Sequence, residues 1–324
     1  MGKYIMRRVL INIPVILMVA TLVFFATSVL PGDFVLEKLV SNDSVQNATP
    51  EQREKHLAEV RETLGLNDSV PVRYVRYIGK LVRGDFGKSF ANGDSALKGF
   101  RDGIPYTAQL GLMTVFIAVI TSIPIGIISA IRQDSPIDYV LRVFSIVMLA
   151  MPNFWVATMV LLYVIRWSWF EVPITTQPLL WKDPIASLRL FGIPAICGGL
   201  AAGAGIMRLL RSQMLEVLRQ DYIRTAWAKG MRERVVIVRH ALKNAMIPVI
   251  TVFGLTVAGI IGGNVVFESL FNIPGVGFKI LDAIRSRDIA VIQAFVIVIA
   301  TFIVFVNLII DVLYGFFDPR IQYS

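Results

Sequence analysis

The sequence is poor in the residues that form covalent cross-links or bind metal ions. Its 324 residues include one cysteine, Cys197, so an intramolecular disulfide is excluded. This cysteine lies in an apolar, glycine-rich run, where we expect it to pack as a small apolar side chain. The two histidines, His56 and His240, are far apart and neither has partners at metal-ligand spacing. We therefore predict no metal site.

Catalytic motifs are also missing. The sequence has no H-E-x-x-H, no G-x-S-x-G and no pair of carboxylates within an apolar run. The segment GDFGKS, residues 84–89, is superficially similar to a phosphate-binding loop. Only two residues separate its first glycine from Gly-Lys, where that loop requires four. We predict that the chain is not an enzyme and that any active transport draws on a partner or an ion gradient.

Charged residues are scarce and apolar residues are abundant. Asp, Glu, Lys and Arg make up 17% of the chain, against about 25% in a typical soluble domain. Hydrophobic residues make up 55%, and the mean hydropathy is +0.66. This composition argues against an ordinary water-soluble domain and indicates that lipid covers much of the surface.

Six apolar runs are long enough to be membrane-spanning helices, which need about 20 residues. They cover residues 9–30, 106–131, 143–165, 190–210, 247–266 and 289–312. The first is longer than the apolar core of a signal peptide, about 7–15 residues, so we predict an uncleaved helix. The fourth is rich in small residues, which let helices pack closely in a bilayer; a re-entrant segment is the alternative. In the last run, Asp311 follows Asn307 by one turn, and we expect a structural hydrogen-bonding role for it.

The distribution of positive charge predicts the orientation of these spans. Lys3, Arg7 and Arg8 precede the first run with no acid among them, which places the N-terminus in the cytoplasm. Six spans then place the C-terminus and the loop of residues 211–246 there too. Residues 206–245 hold nine Lys and Arg against three Asp and Glu, whereas residues 31–105, on the outside, hold eleven of each. The net charge of +9 is therefore concentrated on the cytoplasmic side.

We expect the external segment, residues 31–105, to be partly helical. Thr49, Pro50 and Gln52 form an N-terminal capping pattern for a helix that stops at Gly65. A second helix is predicted over residues 72–82, with its end at Gly84.

A basic stretch, residues 221–248, separates the fourth and fifth runs and has helical periodicity. Its apolar stripe consists of Ile223, Trp227 and Met231. Tyr222, Ala226 and Gly230 form the adjacent stripe. Such a helix suits insertion into a groove on another protein. Contact with lipid headgroups, with Trp227 at the interface, explains the pattern equally well. A nucleic-acid arm is disfavoured because groove-reading residues are lacking.

The same stretch resembles the cytoplasmic loop of ABC importer membrane subunits, in the branch that carries dipeptides, oligopeptides and nickel. The matching residues are DYIRTAWAKG, 221–230, and RHALKNAMIP, 239–248. Further patterns of that branch follow in order: LPGD, RYIGKLVRGDFGKSF, MPNFW, ESLFNIPGVG and FDPRI. The Glu-Ala-Ala of the wider family is replaced by Arg224, Thr225 and Ala226, and Lys243 stands at its later proline.

The resemblance implies an all-α membrane protein of the type I ABC importer permease architecture, a single domain of six transmembrane helices with both termini cytoplasmic. It implies a multi-pass subunit of a prokaryotic inner or plasma membrane that pairs with a second, homologous permease subunit. It also implies that one or two kinds of ATP-binding subunit each accept a short coupling helix, and that an external binding protein delivers the substrate. The coupling helix would be Asp221, Tyr222, Ile223, Arg224, Thr225, Ala226, Trp227, Ala228, Lys229, Gly230 and Met231.

The chain would bind no cofactor itself, because ATP and Mg are used by the partner subunits, and no nucleic acid is expected among its partners. Peptides are the expected cargo, with nickel chelates, glutathione and oligosaccharides as alternatives, and no residue can be assigned to substrate binding. Two rival classes are an ATP-independent secondary transporter or channel and a membrane scaffold with a lipid-binding loop. Internal repeats and mid-membrane charges, which secondary transporters usually show, are not evident.

Overall fold

The computed structural model describes residues 2–29, 68–89, 93–169, 177–261 and 265–317, and these are mostly helical. The helices are α1 (Gly2–Val29), α2 (Val70–Val82), α3 (Lys98–Ile131), α4 (Pro136–Ala150), α5 (Asn153–Arg166), α6 (Pro184–Leu218), α7 (Asp221–Ala228), α8 (Glu233–Val235), α9 (Lys243–Ile261), α10 (Val265–Leu270), α11 (Val276–Arg285) and α12 (Ile289–Phe317). A π-helical stretch, Val236–Leu242, joins α8 to α9. The described residues contain no strand, only an isolated bridge between Lys88 and Ser95. The all-α prediction is confirmed.

Within these ranges, five helices are long and apolar enough to cross a membrane. They are Met6–Ser28 of α1, Lys98–Ile131, Pro184–Leu218, Glu233–Val257 and Ile289–Leu308. The pair α4 and α5 passes the same test only jointly, and the two helices meet at an angle of 98°. The chain therefore has five candidate spans, or six if the bent pair counts as one.

The structure differs here from the single continuous helix expected over residues 143–165. α4 ends at Ala150, and Met151 and Pro152 are both extended, with ψ of 132° and 124°. Proline disfavours a helical conformation in the residue before it and cannot donate a backbone hydrogen bond. The Met-Pro pair of the MPNFW motif is therefore the physical cause of the break.

Several predicted features can be located. The helix predicted over residues 72–82 is confirmed as α2, which ends at Val82, two residues before Gly84 with its φ of 76°. The helix predicted from Thr49, the LPGD segment and the FDPRI tail lie outside the described residues, as does the side chain of Asp311.

α6 corresponds to the small-residue run, and it is the most deeply buried of the candidate spans. Its 35 residues form one continuous helix of about 50 Å, which argues against the re-entrant alternative. A Cβ added at Gly199 would lie 2.6 Å from Cβ of Ile117 and 2.8 Å from the carbonyl oxygen of Thr114. Only glycine lets the backbones of α6 and α3 approach this closely, as expected for small residues between membrane helices.

The described residues form two compact units. One comprises Ile104–Gly277 with the region from Phe305, and the other comprises Gly2–Gly103 with Phe278–Val304. In the second unit α1 packs on α2 through Phe24, Tyr74 and Tyr77, and the hydroxyls of Thr21 and Tyr74 are hydrogen-bonded at 2.8 Å. Burial raises the pKa of Tyr77 to about 12.

The first unit has two apolar clusters. One joins α3, α5 and α6 to the segment after α10, through residues such as Leu110, Phe191 and Phe271. The other, which we call the α7 cluster, has the fully or nearly fully buried members Ala130, Ile206, Leu210, Met214, Ile223, Ala226, Val236, Ile237, Ala241, Ala245 and Val249. It joins the end of α3, the second half of α6, α7 and the start of α9.

A buried carboxylate also organises the first unit. Glu268 in α10 has no exposed surface and accepts a hydrogen bond of 2.7 Å from the hydroxyl of Thr107 in α3. That hydroxyl in turn accepts a bond of 2.8 Å from the backbone N–H of Val276. Thr107 thus links Glu268 and Val276, near the two ends of the ESLFNIPGVG segment, and connects the segment to α3 away from solvent.

Candidate functional site

The basic stretch begins as a short helix, α7, immediately after α6. α6 ends at Leu218, and Gln220, with φ −72° and ψ 149°, is the extended residue that starts α7. Asp221 lies in the first turn, where a negative charge is favourable near the partial positive charge of the helix N-terminus. The long α6 therefore continues into α7 through a two-residue corner.

Gly230 ends α7. The helix stops at Ala228, so Gly230 and Met231 lie beyond it, although the periodicity suggested a helix up to residue 231. The N–H of Gly230 donates to the carbonyl of Trp227 at 2.9 Å, and the N–H of Met231 donates to that of Ala226 at 3.4 Å. These two bonds define a Schellman motif, in which the residue after the cap adopts a left-handed conformation. Gly230 has φ 71°, which explains why glycine stands here.

The inner face of α7 packs on its own chain. Ile223 has 0% and Ala226 has 5% of its surface exposed, and both belong to the α7 cluster with Leu210 and Met214. Met231 packs against the same cluster, which completes the apolar contact that accompanies a Schellman motif. The expectation of a docking face that includes Ala226 is therefore corrected: this side chain is buried in the α7 cluster of its own chain.

The outer face of α7 is exposed. Trp227 and Tyr222 are 44% and 43% exposed, and together with Arg224, Thr225, Ala228, Lys229 and Gly230 they form what we call the outer surface of α7. The Asp221–Arg224 ion pair, at 3.3 Å, is solvent-exposed on both sides and contributes little to stability. The exposed part of the predicted coupling helix is thus an aromatic and basic surface.

The segment after α7 fixes its position. Asn244 in α9 donates hydrogen bonds to the Tyr222 hydroxyl at 2.8 Å and to the carbonyl of His240 at 3.1 Å. The π-helical stretch Val236–Leu242 precedes it, and π-helical turns are frequent at functional sites. Within it Val236, Ile237 and Ala241 are buried in the α7 cluster. The two parts of the basic stretch, residues 221–230 and 239–248, are therefore packed against each other.

A second polar feature lies beside this cluster and was not found in the sequence. Asp138 of α4 is completely buried and accepts two hydrogen bonds from Arg211 of α6. In the sequence these residues are 73 positions apart, and the loop containing Asp138 is neutral, so no local pattern signals the pair. In the sequence alone, Arg211 is one of nine Lys and Arg residues in the region predicted to be cytoplasmic, with nothing to distinguish it from the others.

The described residues include no group of three His, Cys, Asp or Glu side chains arranged to hold a metal ion. In the GDFGKS segment, Asp85 accepts a hydrogen bond of 2.9 Å from the N–H of Gly87, and the Ser89 hydroxyl donates to Asp288. A carboxylate beside the serine hydroxyl is a poor neighbour for a phosphate group.

The described residues contain long apolar helices, a loop between two of them that includes the short helix α7, and a buried interior of small residues. This combination defines a multi-pass membrane protein. The chain belongs to the family of binding-protein-dependent transport system inner membrane components, whose model matches residues 122–323. A second model, for the N-terminal region of such membrane components, matches residues 1–111. Together they cover nearly the whole chain.

Curated relatives agree with this assignment over their full lengths. The chain is 39% identical to the oligopeptide transport system permease protein AppB of Bacillus subtilis. It is 36% identical to the dipeptide transport system permease protein DppB of Alkalihalophilus pseudofirmus and 33% identical to that of Escherichia coli. Each alignment covers 100% of this chain and 100% of the relative. The chain is thus an integral inner-membrane permease subunit of an ABC transporter, which decides against the secondary-transporter and scaffold classes.

Proposed function

We propose that this chain forms half of the pathway through which an ATP-driven importer carries peptides into the cell. The observation that carries the proposal is full-length similarity to permease proteins named for oligopeptide and dipeptide transport. An external binding protein would deliver the peptide, and a second, homologous permease subunit would complete the pathway. Both termini and the loop containing α7 would be cytoplasmic, in line with the excess of Lys and Arg in that loop.

The outer surface of α7 is the proposed docking site for an ATP-binding subunit. A helix that transmits movement must be rigidly attached to the element that it moves. The burial of Ile223 and Ala226 in the α7 cluster and the bond from Asn244 of α9 to Tyr222 provide such an attachment. Trp227 and Tyr222 offer the large aromatic surface that dominates the energetics of many protein interfaces.

In this mechanism the chain itself performs no chemistry. ATP and Mg are used by the partner subunits, whose closure would displace α7. Because α6 continues into α7 through a two-residue corner, the displacement would pass directly to the most buried helix of the permease. The pathway would then switch between inward-facing and outward-facing states.

The docking proposal is tested by adding bulk to the outer surface of α7 without straining its backbone. Ala228→Trp serves this purpose, because Ala228 is exposed and helical, whereas Gly230→Trp would also strain a left-handed residue. We expect the ATP-binding subunits to stop co-purifying with the permease while its insertion into the membrane is unchanged. Val82→Trp is the control, since it adds the same side chain to an 82% exposed position at the end of α2. Normal co-purification of Ala228→Trp would contradict the docking assignment.

The cargo is tested by transport. The permease pair, its ATP-binding subunits and their cognate binding protein are reconstituted in proteoliposomes. We expect ATP-dependent uptake of labelled di- and oligopeptides, which compete with one another. Uptake of a nickel chelate, glutathione or an oligosaccharide in preference to peptides would contradict the peptide assignment but leave the importer mechanism intact.

A further inference from the structure

A buried ion pair ties α4 to α6. Asp138, in the first turn of α4, has no exposed surface. Arg211 Nε donates to Asp138 Oδ1 at 2.8 Å, and Arg211 Nη2 donates to Oδ2 at 2.7 Å. Two parallel charge-assisted bonds of this kind are stronger and more directional than a single contact. The two helices therefore cannot slide past each other at this point without separating opposite charges.

The same carboxylate also holds the connection between α3 and α4, which we call the α3–α4 corner, residues 129–138. The hydroxyl of Ser129, near the end of α3, donates to Asp138 Oδ1. The backbone N–H of Asp134, in the turn, donates to Oδ2 at 3.0 Å. Asp138 thus connects the end of α3, the turn and the start of α4 to Arg211 of α6, and Arg142 of α4 lies beside the same carboxylate, with its Nε 3.5 Å from Oδ2.

This arginine lies in the helical turn that supports α7. Its neighbours Leu210 and Met214 are fully buried in the α7 cluster, where they pack with Ile223 and Ala226. Ala130, next to Ser129, belongs to the same cluster. The apolar contacts of α7 and the ion pair therefore belong to the same packed region.

We infer that Asp138 and Arg211 are a positioning pair that makes the α3–α4 corner move as one body with α7. A displacement of α7 by an ATP-binding subunit would then reach α3 and α4 as well as α6. An apolar contact of the same size could stabilise the fold equally well, since buried ion pairs often contribute no more than apolar replacements. What the ion pair adds is a fixed geometry. The inference rests on the proposed docking of α7 to an ATP-binding subunit.

The first test measures how tightly ATP use is linked to transport. Asp138→Asn is introduced into the complete complex of permease pair, ATP-binding subunits and binding protein, in proteoliposomes. We expect the ATP hydrolysed per substrate imported to rise at least about tenfold, the factor that corresponds to loss of one hydrogen bond to a charged group. A merely structural role would lower the amount of assembled complex without changing this ratio. An unchanged ratio would overturn the inference.

Two further variants keep the test decisive. If Asp138→Asn alone fails to assemble, the double variant Asp138→Asn/Arg211→Gln removes both charges and leaves two amides that can still pair, and its ratio is measured instead. Asp134→Asn is the matched control, because it makes the same chemical change on the same corner at an exposed side chain. Asparagine also tolerates the φ of 59° at position 134. We expect the control to keep the wild-type ratio.

The second test measures the movement itself. Spin labels are attached through Gln133→Cys on the corner and Arg234→Cys beside α7, both exposed, in a Cys197→Ala background. We expect the distance between the labels to be the same in the nucleotide-free and ATP-trapped complexes, and to differ between these states once Asp138→Asn is added. A distance that changes with ATP in the otherwise wild-type complex would overturn the inference. If that complex hydrolyses ATP but imports no peptide, only the cargo proposal fails, because this measurement needs no cargo.

Discussion

At the scale of single residues, the two faces of α7 have different surroundings. Ile223 and Ala226 contact the interior of their own chain, whereas Trp227 and Tyr222 are exposed. Gly230 serves to end the helix in a left-handed conformation, and apart from its neighbours in the chain nothing lies within 4 Å of where its Cβ would be. The residues that hold α7 in place can therefore be separated experimentally from those available to a partner.

Ala226→Leu is expected to destabilise the permease in the absence of any ATP-binding subunit. The larger side chain overpacks the α7 cluster, which costs about 1–3 kcal/mol. Thermal unfolding of the purified permease in detergent measures the effect. The control is Trp227→Leu, which alters an exposed side chain and should leave the unfolding temperature unchanged while weakening co-purification of the ATP-binding subunit. Equal unfolding temperatures for the two variants would contradict the burial of Ala226.

Thr107→Val is expected to loosen the ESLFNIPGVG segment. Valine has nearly the same shape as threonine, but it cannot donate to the buried Glu268 carboxylate or accept from the N–H of Val276. Leaving buried polar groups short of a partner costs about 1–3 kcal/mol each. Limited proteolysis around residue 272 should become faster in Thr107→Val and remain unchanged in Thr107→Ser, which keeps the hydroxyl. Identical cleavage rates would show that the network does not hold the segment.

At the scale of helices, α6 is the element that organises the first unit. It contributes to both apolar clusters, carries Arg211 and continues into α7. Its small residues allow α3 to lie against it at backbone distance. A change within this contact should affect the whole unit, whereas the same change elsewhere on α6 should not.

Gly199→Ala and Gly192→Ala compare two such positions on the same helix. The added methyl at Gly199 would lie 2.6 Å from Cβ of Ile117, while at Gly192 nothing lies within 4 Å. We expect Gly199→Ala to destabilise the protein by about 1–3 kcal/mol through overpacking. Gly192→Ala should be neutral or stabilising by up to about 1 kcal/mol, since alanine is the better helix former. Folded yield and unfolding temperature in detergent measure both effects, and equal losses would argue against close packing of α3 on α6.

At the scale of the whole molecule, the bent pair α4–α5 decides the number of membrane crossings. The two helices meet at 98°, so they form either one broken span or a segment that returns to the same side. Six crossings agree with the charge distribution of the loops, because they put the basic N-terminus and the basic loop containing α7 on the same face, which the distribution of positive charge predicts to be the cytoplasmic one.

Six crossings predict that the loops on either side of this pair lie on opposite faces of the membrane. Gln133→Cys precedes α4 and Lys182→Cys follows α5, and both positions are exposed. In a Cys197→Ala background, an impermeant maleimide added to intact spheroplasts should label Lys182→Cys and leave Gln133→Cys unlabelled. Arg83→Cys and Arg234→Cys, in the segments predicted to be external and cytoplasmic, are the references. Labelling of both Gln133→Cys and Lys182→Cys from outside would show that the bent pair does not cross.

Much of this architecture follows from the sequence by itself. Long apolar runs indicate membrane helices because a segment that crosses the hydrocarbon core must be predominantly apolar, and this requirement is local. The Met-Pro pair at 151–152, the glycines of α6 and the basic stretch after it are likewise visible in short windows of sequence. So is the ordered series of motifs that indicated the family, which was confirmed by the family models.

The tertiary structure decided which side chains face inwards and which distant residues meet. Ile223 and Trp227 are one helical turn apart and both apolar, and only the packing of α7 within the α7 cluster determines that the first is buried and the second exposed. Asp138 and Arg211 form their ion pair across 73 residues, because α4 and α6 lie side by side. Periodicity and composition describe each segment separately, whereas burial and pairing depend on the helices that pack around it.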